Sequence, residues 1–315
     1  MFEFIEVPGA PIGKNRIRVY KDFSAFRHKT ILMVLGLNGY LEGYDTLFKM
    51  FVRLGFNIVS FEHRGSGLSD NFTEKPGCHH LESEDSLLQD LEVAFSCIPP
   101  TQKIHMAGFS FGGPISLHFL KRSPLAARIE KLILFAPMIK FLTNKIPPLI
   151  ARWYAWLGAK VLPEKDLYKN YGQGIYDPEN HTTMMYVKAY DPLVLRKNAL
   201  IATSCLIEIN KLLNIAEQYK DQPNTTNMLS RKALDILFHL VNTLPNPNMV
   251  KIPTLMFTAG KEFYVDTLAS IKYGMDIKNC QIVHIPQARH GVVLETPEIF
   301  KVMEQNIKIF IEDNI

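Results

Sequence analysis

The sequence predicts an α/β protein: a mostly parallel central sheet with helices on both faces, interrupted by an inserted, mainly helical cap. Three observations predict it. Short continuous apolar runs alternate with helix-period segments from 30 to 135. The alternation stops after Phe141 and resumes at Thr254, and one strand-to-helix junction carries Gly-x-Ser-x-Gly at 108–112. Strands buried on both faces read as unbroken apolar runs, and strands alternating with helices build parallel sheets.

The first thirty residues offer only a short strand at 17–20. Residues 30–35 (TILMVL) form the first buried-type strand, which ends in the flexible Gly36-Leu37-Asn38-Gly39-Tyr40. A helix at 47–54 is closed by Gly55. The strand at 57–61 (NIVSF) runs into Glu62-His63-Arg64-Gly65-Ser66-Gly67-Leu68-Ser69. Over 83–95, Leu87, Leu88, Leu91 and Phe95 recur at helical spacing and acids crowd the first turn. A strand at 103–106 and a helix at 114–122 flank the Gly-x-Ser-x-Gly turn, and 131–135 (KLILF) is a further strand, broken by Pro137. After the interruption come strands at 254–258 (TLMFT) and 281–285 (QIVHI) and a helix at 297–311. The chain thus divides into a core, 1–141 with 251–315, and a cap, 142–250, rich in Trp, Tyr, Pro and Asn and without strong strand candidates. A separately folded second domain is the alternative reading of that stretch.

Bulk properties narrow the classes. The 315 residues are 47% hydrophobic and 21% charged, enough for a large core in one globular domain with an insertion. A net charge of +4 without a Lys/Arg run argues against nucleic acid as a partner. Cys78, Cys97, Cys205 and Cys280 lie far apart, with no Cys-x-x-Cys pair, which fits a reducing compartment. Glu3 and Glu6 stand where a signal peptide needs lysines and then an apolar run, and no stretch reaches the length of a bilayer span. The expected location is cytoplasmic, with contact at the inner face of a membrane as the variant.

A strand, Gly-x-Ser-x-Gly and a helix in succession make a nucleophile elbow, a turn so tight that Gly108 and Gly112 must lack side chains around Ser110. A serine hydroxyl needs a base, and the base needs an orienting acid. Of ten histidines, only His290, in Ala288-Arg289-His290-Gly291 past the last strand, sits where an elbow requires its base. His284 and His105 fall inside strands and read as packed or surface residues. The acid belongs in the loop after 254–258, where Glu262 and Asp266 are both available, Asp266 also standing where a helix N-cap is expected. An oxyanion needs backbone donors already in place. The amide of Phe111 follows the nucleophile, and the amide of Tyr40, after the open Gly39, supplies the second.

Together these residues resemble the α/β-hydrolase superfamily and, within it, the lysophospholipase and monoacylglycerol-lipase group. The likeness rests on Glu42-Gly43-Tyr44, on the 62–69 run, on the elbow with Ala136-Pro137-Met138 beyond it, and on Ala288-Arg289-His290. Two positions depart from the pattern: Asn38-Gly39 replaces a His-Gly pair, and the acid is a glutamate. The resemblance implies Ser110, His290 and Glu262 as the catalytic set, a lipid-like carboxylic ester as substrate, and no metal or organic cofactor. It also implies that the 62–69 run is a scaffold loop with Arg64 in local hydrogen bonds. A general carboxylesterase and a non-catalytic binding protein are the rival readings. The adjacent His79 and His80 lack metal-ligand spacing and read as a solvated loop. Trp153, Tyr154, Trp156 and Leu157, with Arg152 and Lys160 nearby, suit an acyl-chain wall, a peripheral membrane contact through the cap, or packing between cap and sheet.

Overall fold

The computed structural model describes residues 1–11, 13–37, 39–73, 78–140, 142, 148–163, 174–177, 182–185, 200, 202–218 and 228–313. Eight strands form one sheet: β1 (Phe2–Glu6), β2 (Arg16–Asp22), β3 (Lys29–Val34), β4 (Phe56–Glu62), β5 (Lys103–Phe109), β6 (Ile129–Phe135), β7 (Thr254–Lys261) and β8 (Cys280–Arg289). Their spatial order is β1-β2-β4-β3-β5-β6-β7-β8. β2 is antiparallel to both of its neighbours, and every pair from β4 to β8 is parallel.

The apolar runs behave as double-sided burial requires. In β3, Leu32 and Val34 join one core cluster and Ile31 and Met33 the other. The first cluster takes in helices α2 (Glu84–Ser96) and α3 (Gly112–Arg122); the second takes in α1 (Asp45–Arg53) and α8 (Pro297–Glu312). Ser83 caps α2, its hydroxyl accepting from the Ser86 amide while the Ser86 hydroxyl receives the Ser83 amide. The amino-terminal hairpin of β1 and β2, unread in the sequence beyond 17–20, covers one edge of the sheet.

Among the described residues between β6 and β7, helices run over α4 (Pro148–Val161), α5 (Leu206–Gln218) and α6 (Arg231–Asn242). Two features there differ from the expectation of an insertion without strands. Gly174–Asp177 pairs antiparallel with Thr182–Met185, and Met228–Leu229 pairs in parallel with Cys78–His79. Moreover, α6 joins the core layer of α2 and α3: Ala233, Ile236, Leu237 and Leu240 are buried in their cluster, and the Leu240 carbonyl bonds the His118 ring at 3.0 Å. Met228–Leu229 also accounts for a correction. His79 and His80, expected in a solvated loop, are buried. The short parallel pairing draws them in, and His79 Nδ1 bonds the Gly65 carbonyl at 2.6 Å. Burial pulls the His79 pKa down to about 4. Among the described residues no helix is long and apolar enough to cross a membrane.

Candidate active site

Ser110 ends β5 with φ of 49°, in the left-handed region that side chains avoid. The turn is held from both sides: the Ser110 amide donates to the Phe135 carbonyl at 2.9 Å, and the Ser110 carbonyl accepts from Gly113 and Met138. A Cβ on Gly108 would stand 2.6 Å from the Gly112 carbonyl oxygen, and one on Gly112 2.8 Å from that of Leu35. Both positions therefore require glycine. The helix begins at Gly112, two residues earlier than expected, so Phe111 is its N-cap and the Phe111 amide opens its first turn. Helix dipoles favour negative charge at that end.

The last two strands bring the partners together by register. Their parallel pairing runs to Ala259 opposite Ile285, slips, and resumes at Lys261 opposite Arg289. Glu262 and His290 each follow directly on that last pair. At the slip a Cβ on Gly260 would come within 2.6 Å of Pro286 Cα, so glycine lets the strands close. Gly260 is thus part of an extended β7, whereas the sequence suggested a loop already begun at Ala259.

His290 Nε2 lies 2.8 Å from Ser110 Oγ, and His290 Nδ1 lies 2.6 Å from Glu262 Oε1. A carboxylate only accepts, so the neutral ring carries its proton on Nδ1 and leaves Nε2 free to accept from the serine hydroxyl. The other carboxylate oxygen of Glu262 accepts from the Phe263 amide at 3.0 Å, with the Tyr264 and Val265 amides at 3.3 and 3.4 Å. The imidazole packs against Phe109 and Tyr264, ring centroids 5.4 and 5.0 Å away. All three side chains are nearly closed off from solvent. Asp266 is turned elsewhere. It caps α7 (Thr267–Met275), accepting from the Ala269 amide at 3.0 Å, and pairs with Lys140 at 2.8 Å. The Lys140 ammonium and that capping bond hold its carboxyl below the usual range.

Tyr40 precedes a 3-10 turn, Leu41–Tyr44, in extended backbone. Asn38 lies outside the described residues. The loop closes on itself, the Gly39 amide donating to the Gly36 carbonyl at 3.1 Å and the Gly36 amide to the buried Tyr44 phenol at 3.2 Å. The 62–69 run holds this loop from below. Glu62, 1% exposed, accepts from the Leu41 amide at 2.9 Å and the Leu68 amide at 2.7 Å, and faces Arg18, which also grips Glu42. Burial pushes the Glu62 carboxyl up to about 7 against those bonds. Arg64 donates to Asp90 from its side chain at 2.6 Å and its backbone at 2.9 Å, the local bonding expected of a scaffold loop.

Sequence reasoning missed Phe109, Tyr264 and Glu295 around the histidine. An aromatic beside a serine or an acid beyond an apolar triplet carries no distinctive local signal. Trp153 and Trp156 are 60% and 48% exposed. They line a groove of about 880 Å³ with Glu84, Asp235 and His239, and neither Ser110, His290 nor Glu262 lines it. Among the described residues no group of three or more His, Cys, Asp or Glu side chains could hold a metal ion.

The sheet order and the elbow at the end of β5 are those of an α/β-hydrolase. The chain belongs to the hydrolase family described as serine aminopeptidase, S33, which matches residues 26–297. It is 27% identical over 155 residues to lysophospholipase L2 of Escherichia coli strain K12, a match that covers 48% of this chain and 43% of that protein. The chain thus matches under half the length of this curated relative. Among solved structures it resembles a soluble variant of monoglyceride lipase from Saccharomyces cerevisiae, with a TM-score of 0.70 and 17% identity over 98% of this chain and 94% of that one. It also resembles the monoacylglycerol lipase of Paleococcus ferrophilus, with a TM-score of 0.66 and 15% identity over 93% and 97%.

Proposed function

We propose that this hydrolase cleaves carboxylic esters of monoacyl lipids, lysophospholipid or monoacylglycerol, through an acyl-enzyme on Ser110. The observation that carries the reading is the continuous bonding from Ser110 through His290 to Glu262 at the carboxyl edge of the sheet. Ser110 Oγ attacks the ester carbonyl as His290 Nε2 takes its proton, and Glu262 stabilises the resulting imidazolium. The Phe111 and Tyr40 amides receive the oxyanion. His290 returns the proton to the leaving alcohol; water then attacks the acyl-enzyme by the reverse route. The lipid preference is supported by the names of the relatives and by α4, where Leu149, Ile150, Trp153, Trp156, Leu157 and Val161 form an exposed apolar stripe near Arg152 and Lys160. That stripe rests on a lipid surface and delivers monoacyl substrate; the 142–250 cap sets substrate class, and the chemistry stays in the core.

A fluorophosphonate probe, followed by a screen across lysophospholipids, monoacylglycerols and short p-nitrophenyl esters, tests the reading. Labelling at Ser110 and highest kcat/KM on the monoacyl lipids are expected. Ser110→Ala, which fits the same turn, lowers kcat by roughly 10⁶-fold, the scale of a nucleophile deletion. Preference for short esters makes the protein a general carboxylesterase. Full turnover in folded Ser110→Ala removes the mechanism altogether.

A further inference from the structure

Glu295 is 2% exposed and has no cationic partner among the described residues. Its two carboxylate oxygens point to different parts of the chain. One accepts the amide of Arg289 at 2.7 Å. The other accepts the Ser204 hydroxyl at 2.7 Å and the Ser204 amide at 3.3 Å, with Thr203 Oγ 3.4 Å away. Thr203 Oγ in turn donates to the Leu294 carbonyl at 2.6 Å. On the far side of the histidine, the Gly291 amide donates to the Ala202 carbonyl at 2.7 Å. A Cβ on Gly291 would stand 2.6 Å from that oxygen, so the approach itself requires glycine. The Arg289 guanidinium also reaches the Leu200 carbonyl. Both neighbours of His290 are therefore fastened to residues 200–204, a part of the chain that belongs to the insertion.

The same segment continues into α5. There Glu208 accepts the Thr46 hydroxyl at 2.6 Å, and Leu212 lies 3.8 Å from where a Cβ on Gly43 would be. Residues 202–212 thus run from the histidine loop to the turn that follows Tyr40.

We propose that Glu295 is a positioning residue for His290, fastening the histidine loop to the 202–205 segment so that the insertion and the base are held as one unit. The inference rests on the reading of Ser110 and His290 as nucleophile and base. A residue serving only to fill the core would not need a carboxylate with one oxygen on each side of the junction. Proton transfer needs the ring held to a fraction of an ångström against the serine, and a misplacement of about 1 Å costs roughly 10²-fold in rate.

Three variants of the full chain test this: Glu295→Ala, Glu295→Gln and Ser204→Ala, each with folding confirmed by circular dichroism. Glu295→Ala lowers kcat about 10²-fold while KM changes by less than about threefold. Glutamine can still accept from the Arg289 amide and donate to the Ser204 hydroxyl, giving up only the longer 3.3 Å bond from the Ser204 amide, so Glu295→Gln recovers to within roughly tenfold of the wild type. Ser204→Ala, at an exposed position, lowers kcat by a few fold, and adding it to Glu295→Ala produces little further loss because both act through one junction. The low-field proton resonance between His290 Nδ1 and Glu262 broadens in Glu295→Ala and persists in Glu295→Gln. Folded Glu295→Ala with normal kcat and an unchanged resonance overturns the proposal, as does Glu295→Gln as impaired as alanine. If Glu295→Ala does not fold, Ser204→Ala decides, and an unchanged kcat there sinks the idea. Ser110→Ala separates the two levels: its retention of turnover would remove the reading beneath, whereas an inactive Ser110→Ala beside a fully active Glu295→Ala removes only the role of Glu295.

Discussion

Replacing Glu262 with glutamine removes one charge and almost no volume, yet the geometry predicts a large loss of turnover. The carboxylate accepts on both sides, from His290 Nδ1 at 2.6 Å and from the backbone amides of Phe263, Tyr264 and Val265. A carboxamide has only one accepting oxygen. If that oxygen faces the backbone, its NH₂ faces His290, Nδ1 must accept, and the ring proton moves to Nε2. The ring then presents a donor to Ser110 and cannot take its proton. If the oxygen faces His290 instead, the NH₂ confronts three donors, and losing the 3.0 Å bond to Phe263 alone costs about 1–3 kcal/mol. The first arrangement therefore dominates by roughly fivefold or more. That population term multiplies the loss of the charge that stabilises the imidazolium; the corresponding Asp-to-Asn change in a Ser-His-Asp protease costs about 10⁴ in kcat, which sets the upper scale of the loss expected here. Asp266→Asn is the matched control. Asparagine caps a helix as well as aspartate does, and the ion pair to Lys140, whose side chain is 57% exposed, contributes under about 1 kcal/mol. Its turnover should equal that of the wild type. The assay is kcat and KM on one short p-nitrophenyl ester, with thermal midpoints for both variants. An inactive Asp266→Asn beside an active Glu262→Gln would refute the reasoning and leave Ser110 and His290 in place.

Two further outcomes follow from residues away from the chemistry. Trp153→Ala with Trp156→Ala should lower the rate on vesicle-borne monoacyl lipid by about thirtyfold, each exposed indole contributing on the order of 1 kcal/mol at an interface, while leaving a dissolved short ester unaffected. Equal loss on both substrates would mean that these residues act through packing. His105 lies buried in β5 with both ring nitrogens unpartnered among the described residues, and burial holds its pKa at about 3. The unfolded chain binds this proton below about 6.5 and the folded chain only near 3, so His105 makes stability rise with pH across that window. Glu62 acts in the opposite sense, its folded carboxyl held near 7, so that its contribution falls as pH rises from about 4.5 to 7. His105→Leu removes the first effect and leaves the second. Urea unfolding between about pH 5 and 6.5 should then show stability rising less with pH than in the wild type. An unaltered slope would mean that the ring is protonated in the folded state.

The legible parts of the site are those whose chemistry is compressed into neighbouring residues. The turn around Ser110 needs glycines at fixed offsets, so Gly108 and Gly112 announce it. Chain order after an elbow leaves few places for a base, which singles out His290 as the candidate. Glu262 was harder, since loop position alone admitted Asp266 as well. What separates them is the pairing of Lys261 with Arg289 across a slipped register. That depends on how β7 and β8 close around Gly260, and no single stretch contains it. Glu295 shows the same limit, because its partners Thr203 and Ser204 lie about ninety residues away in sequence. His79 and His80 were misread for a related reason: their polarity suggested solvent, but a two-residue pairing with Met228–Leu229 buries them.

Two non-glycine residues sit in the left-handed region, Ser110 with φ of 49° and Ala136 with φ of 39°, at the ends of the adjacent strands β5 and β6. Each conformation costs roughly 1–2 kcal/mol and persists only where surrounding bonds leave no alternative. Those bonds form a chain across the sheet edge: Ser110 amide to Phe135 carbonyl, Met138 amide to Ser110 carbonyl, and Ala136 amide to Phe257 carbonyl on β7. Ser110 is therefore tied through β6 to the strand that leads into Glu262, and β8 lies beside that strand with His290 just past its end. This geometry is a property of four strand ends held by main-chain bonds. That explains how chains at 17% and 15% identity share this fold along nearly their whole length. Among the described residues, the 202–205 segment meets these strand ends at Glu295 and Gly291, on either side of His290.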